Sequence, residues 1–459
     1  MFKKQGKTMH FLADIKEREQ RLQHIANEAV GKALSAGADS CAAVSASAQG
    51  ISVSSRNGEV ENLEFNRDNE LSITVYKNNR RGSASTTDLS SEALEQTAAA
   101  AVALAEYSDR DECAGLPDPD LLCQEFRDLK VLYPGFKSPD DAVKLAVDLD
   151  RCGGAIKTDG IKGSDGSSVD YSVYTNCLAN SSGFCRASSS SICSAGLTLL
   201  GERDGKMQRG SGFTVARDPL KMNQLAEVTD EAYKKTSGKL GAVPVKTGKY
   251  NVIFSRSAVQ SLLGNFAQAI SGNAIYRRGS FLCDFLGKKV MPQYVSLLED
   301  PFIDGSLGAA NCDGEGVRVA KSLLVKDGIL QDYLLSSYSA RKLKMRTNGH
   351  SGGIYNWFLN FDKAHTRSFD DLLNEAGEGV VIDELMGQGA DLASGNYSRG
   401  AAGYYFKNGK REYAVSEITV AGNLKDMFLN MALIGNDLDR RYKVQTGSIL
   451  IPNLTVSGN

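Results

Sequence analysis

The sequence predicts an α+β protein with an N-terminal domain built from a duplicated helix–antiparallel-meander–helix unit and a β-rich C-terminal domain. Two helix–strands–helix runs follow each other in the first half, whereas short alternating strands dominate the second half. The segment GKLGAVP at residues 238–244 indicates a linker between the halves. We therefore expect domains at residues 1–240 and 241–459. One continuous sheet with helices on a single face is the alternative for the first half.

Composition places the chain among ordinary globular proteins. It has 459 residues, of which 42% are hydrophobic and 24% charged, and its formal net charge is −2. Neither the fraction of charged residues nor the net charge indicates nucleic acid or an anionic membrane as a partner. The nine cysteines form no CxxC pair and are expected to be free thiols in a reducing compartment. Without a signal-like N-terminus or a run of 18 apolar residues, we expect a cytoplasmic protein.

The first repeat begins with a helix over residues 17–36, where apolar residues recur at helical spacing and Gly37 ends the helix. Asn57 and Gly58 indicate a hairpin turn. Alternating apolar and polar residues predict strands on both sides of that turn, and an Ala-rich helix closes the repeat. The predicted strands are 40–57, 59–66, 71–77 and 83–87, and the closing helix is 90–107.

The second repeat has the same order. A helix is predicted over residues 139–153, and a second helix over 220–235 ends the repeat. Between them, alternation predicts strands at 168–175, 177–186, 189–202 and 206–216.

The C-terminal half opens with a strand at residues 250–254, followed by a helix after Ser255 whose apolar residues recur every three or four positions up to Ala274. Asn408 and Gly409 between apolar runs are the strongest hairpin signal in the chain. The strands are expected to form a barrel-like or sandwich sheet. Predicted strands are 290–298, 321–325, 329–334, 379–385, 397–406, 412–420 and 448–456, and predicted helices are 337–344, 368–376 and 423–435.

Several blocks of the C-terminal half resemble the TldD/PmbA family of peptidase subunits. The helix after Ser255 is followed by RRGSF at residues 277–281, and Thr347–Asn348 is similar to a family loop. Three further blocks are DLASGNYSRGAAGYY (391–405), EITVAGNLKDM (417–427) and LTVSG (454–458). Together they cover about half of the chain in the family's order, which is more specific than any single motif.

The resemblance implies a zinc site that this chain lacks. In the catalytic branch of the family the helix carries HExxxH, in which two histidines bind zinc and the glutamate is the general base. The corresponding residues here are GNFAQA, so Gly264, Asn265 and Ala269 occupy those positions, and Ile434 occupies that of a third, cysteine ligand. None supplies an imidazole, thiolate or basic carboxylate. The chain is thus similar to the PmbA (TldE) branch, and zinc is expected in a TldD-like partner subunit.

Two segments are candidates for substrate contact. The loop RTNGHSGG (346–353) is either ordinary surface structure or the lining of a substrate channel, in which its arginine would hold a carboxylate or carbonyl. The glycine-rich residues 395–403 either form tight turns in a close-packed sheet or accept an extended peptide as an added strand. The candidate residues are Arg346, Asn348, His350, Gly395, Tyr397 and Arg399.

The resemblance implies a subunit of a cytoplasmic zinc metallopeptidase that acts on small or unfolded peptides, such as microcin-type leaders and antitoxins. This chain would hold substrate without catalysis, paired with a TldD-like subunit or as a homodimer in isolation. A first alternative is a different catalytic centre, and a second is a non-enzymatic peptide-binding modulator of a toxin target such as a topoisomerase. Candidate residues for a different centre are Asp284, Asp304, Asp313, Glu315, Asp391 and His350.

Overall fold

The computed structural model describes residues 2–158 and 160–458, with side chains from residue 10 onward. The N-terminal domain runs helix, three strands, helix, and then repeats that order, which confirms the predicted duplication. Within these ranges no helix is both long enough and apolar enough to cross a membrane. The elements are α1 (Phe2–Ser35), β1 (Ser40–Arg56), β2 (Glu59–Lys77), β3 (Arg80–Thr86), α2 (Ser91–Tyr107), α3 (Pro139–Gly154), β4 (Ile161–Asn180), β5 (Cys185–Arg203), β6 (Lys206–Ala216) and α4 (Leu225–Ser237).

The two repeats share one antiparallel sheet of six strands in the order β3-β2-β1-β4-β5-β6. The alternative expectation of a continuous sheet is therefore also correct. Cys41, Ala43 and Val53 of β1 point to the same face and are buried in the two clusters under the helices. Ala42 and Val44 point to the opposite face, which is free of helices.

The structure corrects several predicted strands in this domain. The strands expected at 59–66 and 71–77 are one strand, β2. The three strands expected between 168 and 202 are only β4 and β5, because residues 181–184 turn the chain where a strand was predicted. The Asn180 side chain accepts hydrogen bonds from the backbone of Ser182 and Phe184, at 2.9 and 3.2 Å, and Gly183 adopts a positive φ of 89°. The hydrogen bonds of the Asn180 side chain therefore stabilise a turn, although the alternation of apolar and polar residues predicts a strand.

The C-terminal domain contains a seven-stranded sheet in the order β12-β16-β18-β15-β14-β13-β7 and a five-stranded sheet in the order β10-β9-β8-β11-β17. Strands β7 and β18 also pair, so five strands close into a ring, in line with the barrel-like expectation. The elements are β7 (Gly248–Phe254), α5 (Arg256–Ala269), α6 (Gly272–Tyr276), β8 (Val295–Glu299), β9 (Ser322–Lys326), β10 (Ile329–Leu330), α7 (Ser337–Lys342), β11 (Trp357–Phe361), β12 (Thr366–Arg367), α8 (Phe369–Ala376), β13 (Glu378–Met386), β14 (Asn396–Lys407), β15 (Lys410–Asn423), α9 (Leu424–Leu429), β16 (Leu433–Gly435), β17 (Val444–Gln445) and β18 (Ile449–Ser457).

Helix α5 is the centre of the C-terminal core. Its apolar stripe packs against strands of both sheets, as the periodicity predicts. Phe266 is fully buried, and its ring meets those of Phe428 and Trp357 edge-on at centroid distances of 5.2 and 6.4 Å. A substitution at Phe266 is therefore expected to disturb the packing of α5 against both sheets.

Asp313 joins two loops that lie next to each other in space. Its carboxylate accepts hydrogen bonds from the backbone N–H groups of Glu315, Val317 and Ser351, all at 2.9 Å. Burial raises the pKa of Asp313 to about 6, against the three N–H donors, which lower it. The carboxyl group thus fixes the relative position of residues 313–317 and 351.

We expect Phe266→Ala to lower the free energy of unfolding by about 3–5 kcal/mol, since it leaves a cavity between two sheets. The single tryptophan, Trp357, reports this domain directly in urea unfolding followed by fluorescence. Phe65→Ala is the matched control: Phe65 is 64% exposed, and its loss is expected to change stability by less than about 0.5 kcal/mol. Equal effects of the two substitutions would contradict the assignment of α5 as the core.

We expect Asp313→Asn to change the pH dependence of stability. The folded-state pKa lies above the ordinary 3.8. The folded protein therefore keeps this proton where the unfolded chain has released it, so the contribution of Asp313 is full below about pH 4 and falls as pH rises through about 6. Unfolding free energy of wild type minus variant should drop by on the order of 2 kcal/mol between about pH 4 and pH 7. A difference that stays constant or rises with pH would be the contrary result.

Candidate functional site

A cleft of about 940 Å³ lies between the two domains. Its N-terminal wall is the helix-free face of the six-stranded sheet together with residues 108–117. Its C-terminal wall consists of the end of α5, helix α6, the start of α7 and residues 350–354. Side chains from both walls reach the cleft, among them Val44, Thr74, Tyr76, Gln268, Glu315 and Tyr338.

The positions that resemble the zinc-binding helix lie in the second half of α5. A Cβ added to Gly264 would meet no atom within 4 Å, so this position borders open space. Asn265 is half-buried, and its Nδ2 has no hydrogen-bond partner. Ala269 is fully buried in the core, and its carbonyl accepts a hydrogen bond from Ser280 Oγ at 2.6 Å. Of residues 264–269, only Ala267 and Gln268 line the cleft.

The helix predicted over residues 423–435 is wrong. Helix α9 ends at Leu429, where the Asn430 side chain donates to the carbonyl of Asp426 at 2.8 Å. Ile434 instead lies in strand β16, paired between β12 and β18, and is 3% exposed. Its side chain belongs to the same apolar core as Ala269. Packing with two neighbouring strands outweighs the helical pattern of this segment.

These residues do not fit a zinc ion. Gly264, Ala269 and Ile434 carry no ligating atom, and the Asn265 amide is not a usual zinc ligand. Across residues 2–158 and 160–458, no three His, Cys, Asp or Glu side chains lie close enough to hold a metal ion. We therefore derive no metal-dependent step for this chain.

The acidic residues considered for a different centre do not converge. Asp284 forms an ion pair with Arg278, and Asp391 accepts a hydrogen bond from Ser394 Oγ at 2.6 Å. Asp304 is exposed beside Gly305 in a turn. Glu315 accepts from the backbone N–H of Ser337 at 2.9 Å and thereby holds the start of α7. Asp313 binds three backbone N–H groups, as described above. Asp284, Asp313, Glu315 and Asp391 thus each bind a protein group.

His350 belongs to a buried network at the edge of the cleft. Its Nε2 lies 2.6 Å from Glu299 Oε2 and its Nδ1 lies 2.8 Å from Asn348 Oδ1. The other carboxylate oxygen of Glu299 accepts from Trp357 Nε1 at 2.8 Å and from the backbone of Tyr355 at 2.9 Å. Glu299 is fully buried, and the hydrogen bonds from these donors offset the desolvation cost of burying its carboxylate. The network fixes residues 348–357 against β8.

The two other candidate residues of this loop also have protein partners. Asn348 accepts from the N–H of Leu335 at 2.9 Å and donates to the carbonyl of Tyr333 at 2.7 Å. Arg346 forms an ion pair with Asp120 of the N-terminal domain. This pair bridges the two domains, but both side chains are largely exposed, so its contribution to stability is small.

The glycine-rich residues 395–403 lie inside the seven-stranded sheet. Strand β14 pairs with β15 on one side and with β13 on the other. Where β13 ends, Ser398 donates to the carbonyl of Gly389 at 2.7 Å. A Cβ at Gly403 would lie 1.9 Å from the carbonyl oxygen of Val381. The close-packed interpretation is therefore correct, and no edge is left here for an added peptide strand.

Arg399 connects this sheet to α5. Arg399 Nη1 donates to Ser261 Oγ at 2.6 Å, one helical turn before Asn265. Tyr397 is 2% exposed, and burial raises its pKa to about 12. Gly395 is buried with a positive φ of 78°. Arg399 therefore contacts the α5 face that also carries Gly264 and Asn265, one turn further along the helix.

A polar cluster crosses the cleft from wall to wall. Tyr338 of α7 donates to Asp111 Oδ2 at 2.7 Å, and Lys342 Nζ lies 2.9 Å from the same oxygen. These partners lower the pKa of Asp111 to about 2. Sequence reasoning missed this cluster, because Asp111 and Tyr338 are 227 residues apart and belong to no motif. Only the fold brings them together.

The chain matches known proteins along nearly its whole length. Models of the PmbA/TldA metallopeptidase family match the chain in three segments, domain 1 at residues 43–105, the central domain at 133–240 and the C-terminal domain at 247–458. The metalloprotease PmbA of Escherichia coli is 40% identical, and the alignment covers 95% of this chain and 96% of that protein. The PmbA homologue of Haemophilus influenzae is 37% identical over 97% and 98% of the two chains.

Solved structures show the same fold. A candidate modulator of DNA gyrase from Bacteroides thetaiotaomicron superposes with a TM-score of 0.88 at 23% identity and covers 95% of this chain and 98% of its own. TldE from Thermococcus kodakarensis superposes with a TM-score of 0.79 at 20% identity, over 94% and 99% of the chains. With the three matched segments and relatives that align along nearly their whole length, the chain belongs to the PmbA/TldD metallopeptidase family.

Proposed function

We propose that this chain is the non-catalytic, substrate-holding subunit of a zinc metallopeptidase whose zinc is carried by a TldD-like partner. The observation that supports this most directly is the contrast within α5. The family's scaffold is complete around the helix, yet the positions of the metal ligands are filled by Gly264, Asn265 and Ala269. In a zinc-dependent peptidase, a chain that does not bind the metal would contribute by binding substrate or by organising the partner that does.

The interdomain cleft suits a peptide held in an extended form. Its volume of about 940 Å³ is at the upper end of the range for small-molecule sites, roughly 300–1,000 Å³. Its walls mix apolar side chains such as Val44 with hydroxyl and charged groups such as Thr74, Arg81 and Glu315. Such a mixed lining favours no single side-chain chemistry, in keeping with small or unfolded peptides as substrates.

The biological setting of the proposal is a reducing cytoplasm. All nine cysteines are free, including Cys177 and Cys185, whose sulfurs lie 3.8 Å apart as thiols. Microcin-type leader peptides and antitoxins are the substrate classes we propose. The complex would be a hetero-oligomer with the zinc-bearing subunit, and the isolated chain would be a homodimer.

A second candidate function is suggested by the descriptions of two structural relatives, from Bacteroides thetaiotaomicron and Thermotoga maritima, as candidate modulators of DNA gyrase. In that case the chain would bind a topoisomerase or a toxin that targets it, without peptidase activity. Capture of gyrase by the purified chain in the absence of a TldD-like subunit would favour this function.

The first test mixes purified proteins. The chain alone with zinc is expected to give no hydrolysis of an unfolded peptide, because α5 offers no ligand. Addition of a zinc-bearing TldD-like subunit should produce hydrolysis above that of the partner alone, measured as product formation by mass spectrometry. Chelator-sensitive hydrolysis by this chain alone, or no effect on the partner, would refute the proposal.

The second test narrows the cleft. Val44 is 37% exposed and lines the N-terminal wall, so Val44→Trp places a large ring in the peptide's space. We expect kcat/KM of the mixed complex to fall about tenfold, with complex formation by size exclusion unchanged. Leu323→Trp is the matched control, since Leu323 is a 42% exposed strand residue outside the cleft. An equal effect of both substitutions would speak against the cleft as the holding site.

A further inference from the structure

The outer edge of β2 is unpaired over most of its length. Strand β2 pairs with β1 along its length apart from a bulge at Glu61, but β3 covers it only from Leu71, opposite Thr86, to Lys77. Residues 59–70 thus form a free edge, in which no other described strand pairs with the outward backbone groups. Residues 59–68 are all exposed, on both faces of the sheet. A strand edge of this length is a template for another extended segment.

The free edge of β2 lacks two of the usual protections of a sheet edge and keeps others, namely its charged side chains and a bulge near Glu61. Its sequence, EVENLEFNRDNE, contains neither Lys nor Pro, the residues that most often blunt edges. Val60, Leu63 and Phe65 are exposed by 43, 41 and 64%. Leu63 and Phe65 are two residues apart and therefore lie on one face of the strand. Together with the open backbone, they form a strip of apolar surface beside unpaired hydrogen-bonding groups.

The charge of the free edge indicates what chemistry it accepts. It carries five carboxylates and one guanidinium, a formal charge of −4. Arg56 of β1 lies 3.4 Å from Glu61 and offsets one of these charges. A second copy of this chain would bring an equal negative charge alongside, which disfavours edge-to-edge pairing of two copies. A segment bearing Lys or Arg is the complementary occupant.

We propose that the free edge of β2 captures basic, extended peptide substrates by strand addition. Main-chain hydrogen bonds would supply affinity independent of sequence, Leu63 and Phe65 would contact alternate apolar side chains, and the carboxylates would pair with Lys or Arg. The occupant is the peptide substrate of the proposed complex, so this inference rests on the proposed function.

The location of the free edge next to the cleft supports a peptide substrate as its binding partner. The same strand continues into the cleft wall, where Ser72, Thr74 and Tyr76 face the cavity. The free edge therefore ends within one or two residues of the cleft wall. It is also the strand-addition surface that the glycine-rich residues 395–403 do not offer, since β14 is paired on both sides. A peptide bound at the edge would be close to the holding cleft.

The experiment measures binding to the full-length chain without any partner subunit. The probe is a fluorescent twelve-residue peptide that alternates Val and Lys, followed by anisotropy, and the comparison probe carries Glu in place of Lys. Two further probes are N-methylated on alternate residues, one series on the odd and one on the even positions. Strand addition predicts that the Glu probe binds at least about tenfold more weakly. It also predicts that one methylated series loses binding while the other retains it, since only one row of N–H groups faces the edge.

Substitutions in the protein test the role of the carboxylates of the free edge. Glu61→Gln, Glu64→Gln and Asp68→Asn together are expected to weaken binding of the Lys probe about tenfold. The matched control, Asp204→Asn, Asp327→Asn and Glu412→Gln, changes the charge equally at exposed positions elsewhere and should leave affinity within about twofold. Hydrogen exchange should show new protection in residues 59–70 when the Lys probe is bound.

Three outcomes would overturn the inference. These are equal binding of both methylated series, new protection confined to residues outside the edge, and a concentration-dependent dimer in sedimentation that buries residues 59–70 in the free chain. Because binding is measured on the isolated chain and hydrolysis on the mixed complex, the two proposals fail separately. Loss of edge binding with hydrolysis intact removes only the edge, and edge binding without hydrolysis removes only the subunit role.

Discussion

The pairing of β1 with β4 is the constraint on which the rest of the molecule depends. The two strands run antiparallel from Ala42 opposite Asn180 to Ser55 opposite Ser167. This pairing joins residues more than a hundred positions apart and fuses two meanders into one sheet. Closing so long a loop is costly in entropy, and the length of the ladder offsets that cost. Because helices α1–α4 lie on one face of this sheet, the other face is free to form a cleft wall.

The cleft keeps its shape because polar contacts join the domains at its rim and beyond. Arg341 of α7 donates to the carbonyls of Cys113 and Gly115, at 3.3 and 3.2 Å. Further away, Arg441 binds Glu231 of α4 through hydrogen bonds of 2.6 and 3.0 Å. These contacts are charge-assisted and their side chains are partly buried, which makes them stronger than fully exposed ion pairs. The cleft is therefore largely preformed, and a peptide entering it need not supply the energy of domain closure.

Local signals in the sequence predicted many of the elements, but they did not predict the site. The Asn–Gly turns at Asn57 and Asn408 adopt the positive φ values that such hairpins require, 58° and 51°, and Ser368 caps α8 by accepting from Asp371 N–H. Segments whose pattern fits two structures were misassigned, as for residues 423–435, where pairing with β12 and β18 selects a strand. The cleft wall could not be predicted, since its two sides meet only through long-range pairing.

The packing of α5 supports the proposal that a partner subunit carries the metal. Ala269 is fully buried and Ile434 nearly so, and both are part of one continuous core with Phe266. A histidine at the position of Ala269 would have to displace packed apolar neighbours, and overpacking of this kind typically costs about 1–3 kcal/mol. A cysteine at the position of Ile434 is smaller than isoleucine and would leave a cavity in the core. An ionised ligand would also lose hydration in this core. At two of the positions that correspond to the family's metal ligands, Ala269 and Ile434, this chain has apolar packing that stabilises α5 between two sheets. Under our proposal the chain serves a peptidase through the surfaces that remain open.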